Sequence, residues 1–378
     1  MPVKDRIVTW WIQNIIIPKQ EIIDHPGFVI TTFSDPKETT YLRDIFLPEL
    51  LFELIENKII QQFGQIGKKS LYSAGKKFAY LYASLSNFPT IKKNSKKEIE
   101  DFIYLFIRYL EGVYAQRASH EVNVDQKLFT GSFHNYIVCR HNGYGYIMTD
   151  AGISGTWAYL TQDKSVEAVQ LECEGRGNER CYIVCAEPET IKRYTSNCFS
   201  ETDLSDLKFT EIYKNLNEIR ETIYAQNSLK DLIDMGFFNY QKGVLSYKDS
   251  RFFGCESHII YLLEQEILKL ESGEKILFDI CFEYGKSLQQ LYGFADFQEF
   301  IPDFFSALGF GDIFISTSNG FRIISSYYPW TTFSEHSKYI LFRGIMSGFV
   351  SSSLNQKVEF NKFDIQITDN LTLTIESN

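Results

Sequence analysis

Three of the chain's seven cysteines fall within Val169–Cys185, VQLECEGRGNERCYIVC. The stretch reads as a strand, a Gly-rich polar loop and a second strand, with Cys173 and Cys181 at the ends of the loop. A hairpin returns its ends to each other, so these thiols can face one another. They could then serve as ligands for a metal such as zinc, or as small buried hydrophobes. Cys185 shares a strand face with Cys181 but sits ~6–7 Å further along. Cys173, Cys181 and Cys185, with Cys139 or Glu172, make a conceivable four-ligand set.

A second candidate is a pocket. Tyr144, Tyr146, Trp157 and Tyr159 cluster in sequence around an Asn-Gly pair and a Gly-rich segment. Aromatic walls with a few polar contacts suit a small-molecule site, though such rings also fill cores. Other chemistry lacks support. Gly67-Lys68-Lys69-Ser70 and Gly285-Lys286-Ser287 imitate a phosphate loop, but Gln62 and Ile280 stand where that loop needs its first glycine. The histidines show no metal-type spacing. No nucleophile-elbow, zinc-protease or dinucleotide motif occurs, so a non-catalytic role is expected.

The net charge of −10 offers no global attraction for nucleic acid or anionic membrane. An aromatic content of 16% fits a globular chain with large side chains to pack. The odd cysteine count suggests free or metal-bound thiols in a reducing compartment. The apolar run Ile7–Ile17 is interrupted by Gln13 and Asn14 and is shorter than the ~20 residues a bilayer requires. A soluble, cytoplasmic protein without membrane insertion is the expectation.

The elements that would position these residues are written twice. Tyr72–Tyr82, YSAGKKFAYLY, matches Phe282–Tyr292, FEYGKSLQQLY. Both have helical apolar spacing, and a glycine inside a helix costs about 1 kcal/mol relative to alanine. Its recurrence at Gly75 and Gly285 implies another backbone passing close by. Tyr136–Ile147 matches Ile313–Ile324, each with Asn-Gly where a hairpin would turn. Gly152–Gly155 matches Ile345–Gly348. Lys164–Val184 matches Gln356–Glu376, with Ile365 and Leu373 replacing Cys173 and Cys181.

A Pro- and Thr-containing segment, Ala186–Leu204, reads as a linker, and a helix is expected from about Lys208 to Gln226. The reading is an α+β fold of two similar domains, residues 1–200 and 201–378. Each would be an antiparallel sheet with helices on one face.

Leu71–Gly75, Gly152–Gly155 and Glu172–Cys181 together resemble the 4-vinyl reductase domain, found in sensor modules of aromatic-responsive regulators and related in fold to trafficking subunits. The resemblance covers most of 65–185, with a degenerate copy over about 270–376. It implies an intramolecular pseudo-dimer whose first copy binds a hydrophobic or aromatic ligand. The alternative it implies is a scaffold or adaptor for protein–protein assembly. In sensor members, zinc is held by a Glu three residues before the first loop Cys, both loop cysteines, and a Cys before the Gly-rich turn. Here Gln170 occupies the Glu position, and Tyr146–Ala151 contains no cysteine.

Overall fold

A computed structural model describes residues 3–34, 39–196, 202–205, 207, 219–241, 244–248, 250–293, 296–318, 320–331, 333–367 and 371–377. In chain order, a helical stretch (Val3–Trp11, Ile12–Ile16 and Ile17–Gln20) leads into a three-stranded meander: β1 (Glu21–His25), β2 (Phe28–Ser34) and β3 (Thr39–Pro48). Helices α1 (Glu49–Leu85, broken by a kink at Gly64 with φ 56° and ψ −126°) and α2 (Lys96–Val113) lead to a hairpin, β4 (Arg117–Asn123) and β5 (Leu128–His134). One helical turn, α3 (Cys139–Asn142), precedes α4 (Asp150–Thr161) and the hairpin β6 (Glu167–Glu172) and β7 (Cys181–Ala186). Later come β8 (Ser250–Glu256), α5 (His258–Ile267), α6 (Gly273–Tyr292) and α7 (Phe297–Ala307). The chain then adds β9 (Asp312–Ser316), β10 (Arg322–Ser326), α8 (Ile340–Leu354), β11 (Phe360–Ile367) and β12 (Leu371–Ser377).

Contacts divide the chain into two compact units. One comprises Met1–Lys19, Ile59–Lys208 and Tyr240–Leu245; the other comprises Gln20–Lys58, Phe209–Asn239 and Ser246–Asn378. The fold is α+β, as the sequence implies. Each unit holds a four-stranded antiparallel sheet of one topology, ordered β4-β5-β7-β6 in the first and β9-β10-β12-β11 in the second. In both, the leading helices are followed by a hairpin, a helix and a second hairpin, with the α3 turn added before α4 in the first unit. The second unit also contains the antiparallel set β1-β2-β3-β8.

The helices follow from local rules. Ser95 caps α2 in a reciprocal box with Glu98, and Ile99, Ile103, Ile107 and Leu110 form its buried stripe. Gly75 of α1 lies so close to the start of α4 that an added Cβ would stand 2.0 Å from the Ile147 carbonyl oxygen. From the other side, a Cβ on Gly155 would stand 2.2 Å from the Lys76 carbonyl oxygen. The second unit repeats this crossing between α6 and α8, with Gly285 at 2.1 Å from the Ile345 oxygen and Gly348 at 1.9 Å from the Phe282 oxygen. The close backbone expected at both glycines is present.

The repeated sheets differ from the expected meanders in three places. Tyr136–Ile147 is not a hairpin, because Gly143 (φ 73°) ends α3 as a left-handed cap, its amide donating to the Cys139 carbonyl at 2.8 Å. The first unit's hairpin is instead β4–β5. In the second unit Ile313–Ile324 does pair, as β9 with β10; Asn319 lies outside the described residues. Gly152–Gly155 and Ile345–Gly348 sit within α4 and α8 rather than in turns. Of the helix expected over 208–226, residues 208–218 lie outside the described set and 219–226 are not helical.

The cores are apolar with a few buried charges that find polar partners. In the first unit Lys76 Nζ reaches Glu167 at 2.7 Å, Tyr72 donates to the same carboxylate at 2.6 Å, and the side chains of the ion pair are buried. In the second, Arg43 donates to the carbonyls of Gly27, Gly309 and Tyr327 and lies 4.4 Å from the Phe28 ring. In the same unit Phe237, Tyr247, Tyr292, Phe300 and Phe304 interlock in ring contacts. Among the described residues no helix is long and apolar enough to cross a membrane.

Candidate functional site

Cys139, Cys173 and Cys181 converge in the first unit, all buried, with their sulfurs within 4.8 Å of one another. Cys181 Sγ lies 3.5 Å from Cys139 Sγ and 3.7 Å from Cys173 Sγ. Cys173 and Cys181 come from the β6–β7 hairpin, as expected. Cys185 is buried on β7 and stays outside the group.

Cys139 arrives by a local contortion. Val138 adopts φ 60°, ψ −67°, and the Cys139 amide donates to the Ile137 carbonyl at 2.7 Å. That is a γ-turn of the rare, strained kind, which costs about 1–3 kcal/mol for a β-branched residue. The strain is held by packing across the loop: a Cβ on Gly175 would stand 2.2 Å from the Cys139 carbonyl oxygen and 2.4 Å from the Gly143 amide nitrogen. Glycine at 175 therefore lets the β6–β7 loop lie directly on the α3 turn.

The three sulfurs titrate unequally. Hydrogen bonds from Cys139 and Cys181 bring Cys173 down to about 3, helped by the Gly175 amide. Cys139 is pushed well up by its hydrogen bonds to Cys173 and Cys181 and by burial. Cys139's hydrogen bond lowers Cys181, but the Cys173 thiolate and burial outweigh it and push Cys181 up to about 12. Three buried sulfurs this close together can share a soft cation.

The donor set fits zinc. Zn–S bonds of ~2.3 Å in a tetrahedron put sulfurs ~3.8 Å apart, close to the 3.5 and 3.7 Å seen here. Gln170 borders the trio, its Nε2 3.5 Å from Cys139 Sγ. Its buried Oε1 and the buried Thr149 Oγ1 both lack a hydrogen-bond partner among the described residues. The two flank Gly145, where a Cβ would lie 2.6 Å from Gln170 Oε1 and 2.9 Å from Thr149 Oγ1. The oxygen and nitrogen of an amide exchange places by a simple turn, which would aim the Gln170 oxygen at Cys139 Sγ. Gln170 can thus turn a neutral oxygen toward the three sulfurs.

A cavity of about 570 Å³ opens beside this trio, lined by Lys68, Lys69, Tyr144, Tyr146, Gln170 and Arg176 among others. Tyr144 and Tyr146 stack at 5.9 Å between centroids. The other two aromatic candidates lie elsewhere. Trp157 is buried against Phe129 and donates its indole N–H to the Lys127 carbonyl at 2.7 Å; Tyr159 packs edge-on against Tyr80. Helical geometry explains the division, since α4 carries both residues away from the α3–β6 opening. Sequence reasoning missed Lys68, Lys69 and Arg176 as cavity residues. The only signal was the set-aside Gly-Lys-Lys-Ser run.

No family model matches this chain, and no curated protein matches it. Among solved structures it is similar to the phenol-responsive sensory domain of the transcription activator PoxR, crystallised with phenol. That match has 14% identity and a TM-score of 0.32, and covers 52% of this chain and 100% of the other.

Proposed function

We propose that this protein is a non-catalytic small-molecule binder, a sensor or carrier, built from two 4-vinyl-reductase-like modules of which the first holds the ligand. The observation that supports this most is the cavity beside the thiol trio, walled by the stacked Tyr144 and Tyr146. Its volume lies within the range of drug-sized sites. A ring inserted there would gain face contacts from two tyrosines and apolar contacts from Val169 and Leu171.

Zinc held by Cys139, Cys173, Cys181 and Gln170 would be structural, tying the α3 turn to the β6–β7 hairpin. The chain's own residues do the rest. Gly175 permits the close approach, and Gln170 reaches from the metal-ligating group to the cavity wall. In the second module Ile365 faces Leu373 across the equivalent hairpin, so that copy retains no thiols there.

Ligand-observed NMR on the full chain against simple aromatics tests this reading. Binding of at least one ring compound, weakened severalfold in Tyr144→Ala, is expected. Uniform failure of the aromatics, or binding indifferent to Tyr144→Ala, would remove it. Metal analysis of wild type beside Cys173→Ser tests the zinc: equal content in both would eliminate the site.

A further inference from the structure

The cavity's charge is at odds with that of the chain. The protein carries a net −10, yet Lys68, Lys69 and Arg176 all line this opening, against one acid, Asp150. Three cations less one carboxylate leaves +2. None of the three cations has a carboxylate partner among the described residues. Lys68 Nζ sits 5.9 Å from the Tyr146 ring, and Arg176 Nη2 donates to the Gln170 carbonyl at 2.9 Å. Asp150 is buried and accepts from the Ala151 amide at 2.9 Å. Elsewhere, surface lysines of this chain find acids readily, as Lys96 does with Asp125 and Lys338 with Glu274.

Resting on the small-molecule reading above, we infer that the ligand is an aromatic acid: a ring bearing a carboxylate, bound with the ring on Tyr144 and Tyr146 and the anion toward Lys68, Lys69 and Arg176. Three features of the cavity favour such a ligand. Like charges gathered without counter-ions repel, so the arrangement is relieved by an anionic occupant. A concave, partly apolar wall focuses the potential of such a cluster and discriminates against neutral rings. Arg176 is held by its bond to the Gln170 carbonyl, so its remaining N–H groups are pre-oriented for a carboxylate. Gly143 contributes by absence, because a Cβ there would stand 2.6 Å from Arg176 Cγ.

The test measures binding of benzoate, phenyl phosphate, phenol and benzyl alcohol to the full chain, in low and high salt. Benzoate is expected to bind about tenfold tighter than benzyl alcohol at low ionic strength, an advantage that shrinks as salt screens the cluster. Lys68→Ala and Lys69→Ala, both on solvent-reachable side chains, should each weaken benzoate about threefold or more and leave phenol unchanged. Neutral rings binding as well as benzoate, with Tyr144 still required, would overturn the aromatic-acid inference and leave the small-molecule reading standing. Phenyl phosphate preferred over benzoate by tenfold would replace the carboxylate with a phosphate head and overturn the inference as stated. Failure of all four compounds would take down both readings.

Discussion

Gly75 offers the sharpest test of how the repeated helices pack. In an ordinary helix interior, Gly→Ala gains about 1 kcal/mol. At Gly75 the new methyl would meet the Ile147 carbonyl oxygen at 2.0 Å and the Ala151 Cβ at 2.8 Å. A relaxed C···O contact needs ~3.2 Å, so α1 and α4 would have to part by about 1 Å, against backbone rather than a pliable side chain. Overpacking of this kind costs about 3 kcal/mol. Less the propensity gain, Gly75→Ala should lose about 2 kcal/mol, lowering the melting temperature by about 4–8 °C for a unit of this size. Gly285→Ala should do the same in the second unit, where the clash is with the Ile345 oxygen at 2.1 Å. Gly152→Ala is the internal control. It lies in α4, with nothing nearer than the Ile147 oxygen at 3.9 Å, and should stabilise by up to about 1 kcal/mol. Urea denaturation followed by circular dichroism reads all three. Equal effects of Gly75→Ala and Gly152→Ala, in either direction, would refute the crossing.

Three further outcomes follow from the same geometry. Gly175→Ala should displace the α3 turn and reduce the zinc content of the purified chain, measured by elemental analysis, because its Cβ would meet the Cys139 carbonyl oxygen at 2.2 Å. Lys76→Ala strands the Glu167 carboxylate in the core and should destabilise by about 3–5 kcal/mol in denaturant titration; Lys286→Ala, at the equivalent but partly exposed position beside Glu283, should cost under about 1 kcal/mol. His120 is lowered to about 4 by burial and by Arg108. The folded state therefore binds fewer protons than the unfolded one between pH 6.5 and 4. Its contribution is complete above pH 6.5 and is lost as pH falls toward 4, up to about 3 kcal/mol. His120→Gln should flatten that part of the pH–stability curve.

Much of the fold was legible because glycine inside a helix is expensive and has to be explained. Gly75 and Gly285 announced the crossings, and the alternating apolar runs of β6, β7, β11 and β12 announced the paired strands. The α3 turn was not legible. Asn142-Gly143 has the composition of a hairpin turn, but the same pair closes a helical turn when the preceding residues coil, and the choice is made by the loop carrying Gly175. Cys139 joined the trio through a positive φ at Val138, a conformation that valine's residue type argues against. Of the aromatic candidates, Tyr144 and Tyr146 share the opening, while α4 points Trp157 and Tyr159 into other surroundings. The cavity's cations were hidden because a lysine pair beside a glycine suggested a phosphate loop, and rejecting that motif left them without a role.

Native mass spectrometry of the full chain, soaked with benzoate and then gently activated, tests the central claim most directly. The account predicts a species carrying one zinc and one benzoate per chain, with zinc lost in Cys173→Ser and benzoate lost in Tyr144→Ala. A spectrum showing the bare protein mass alone, or benzoate retained equally by Tyr144→Ala, would contradict it.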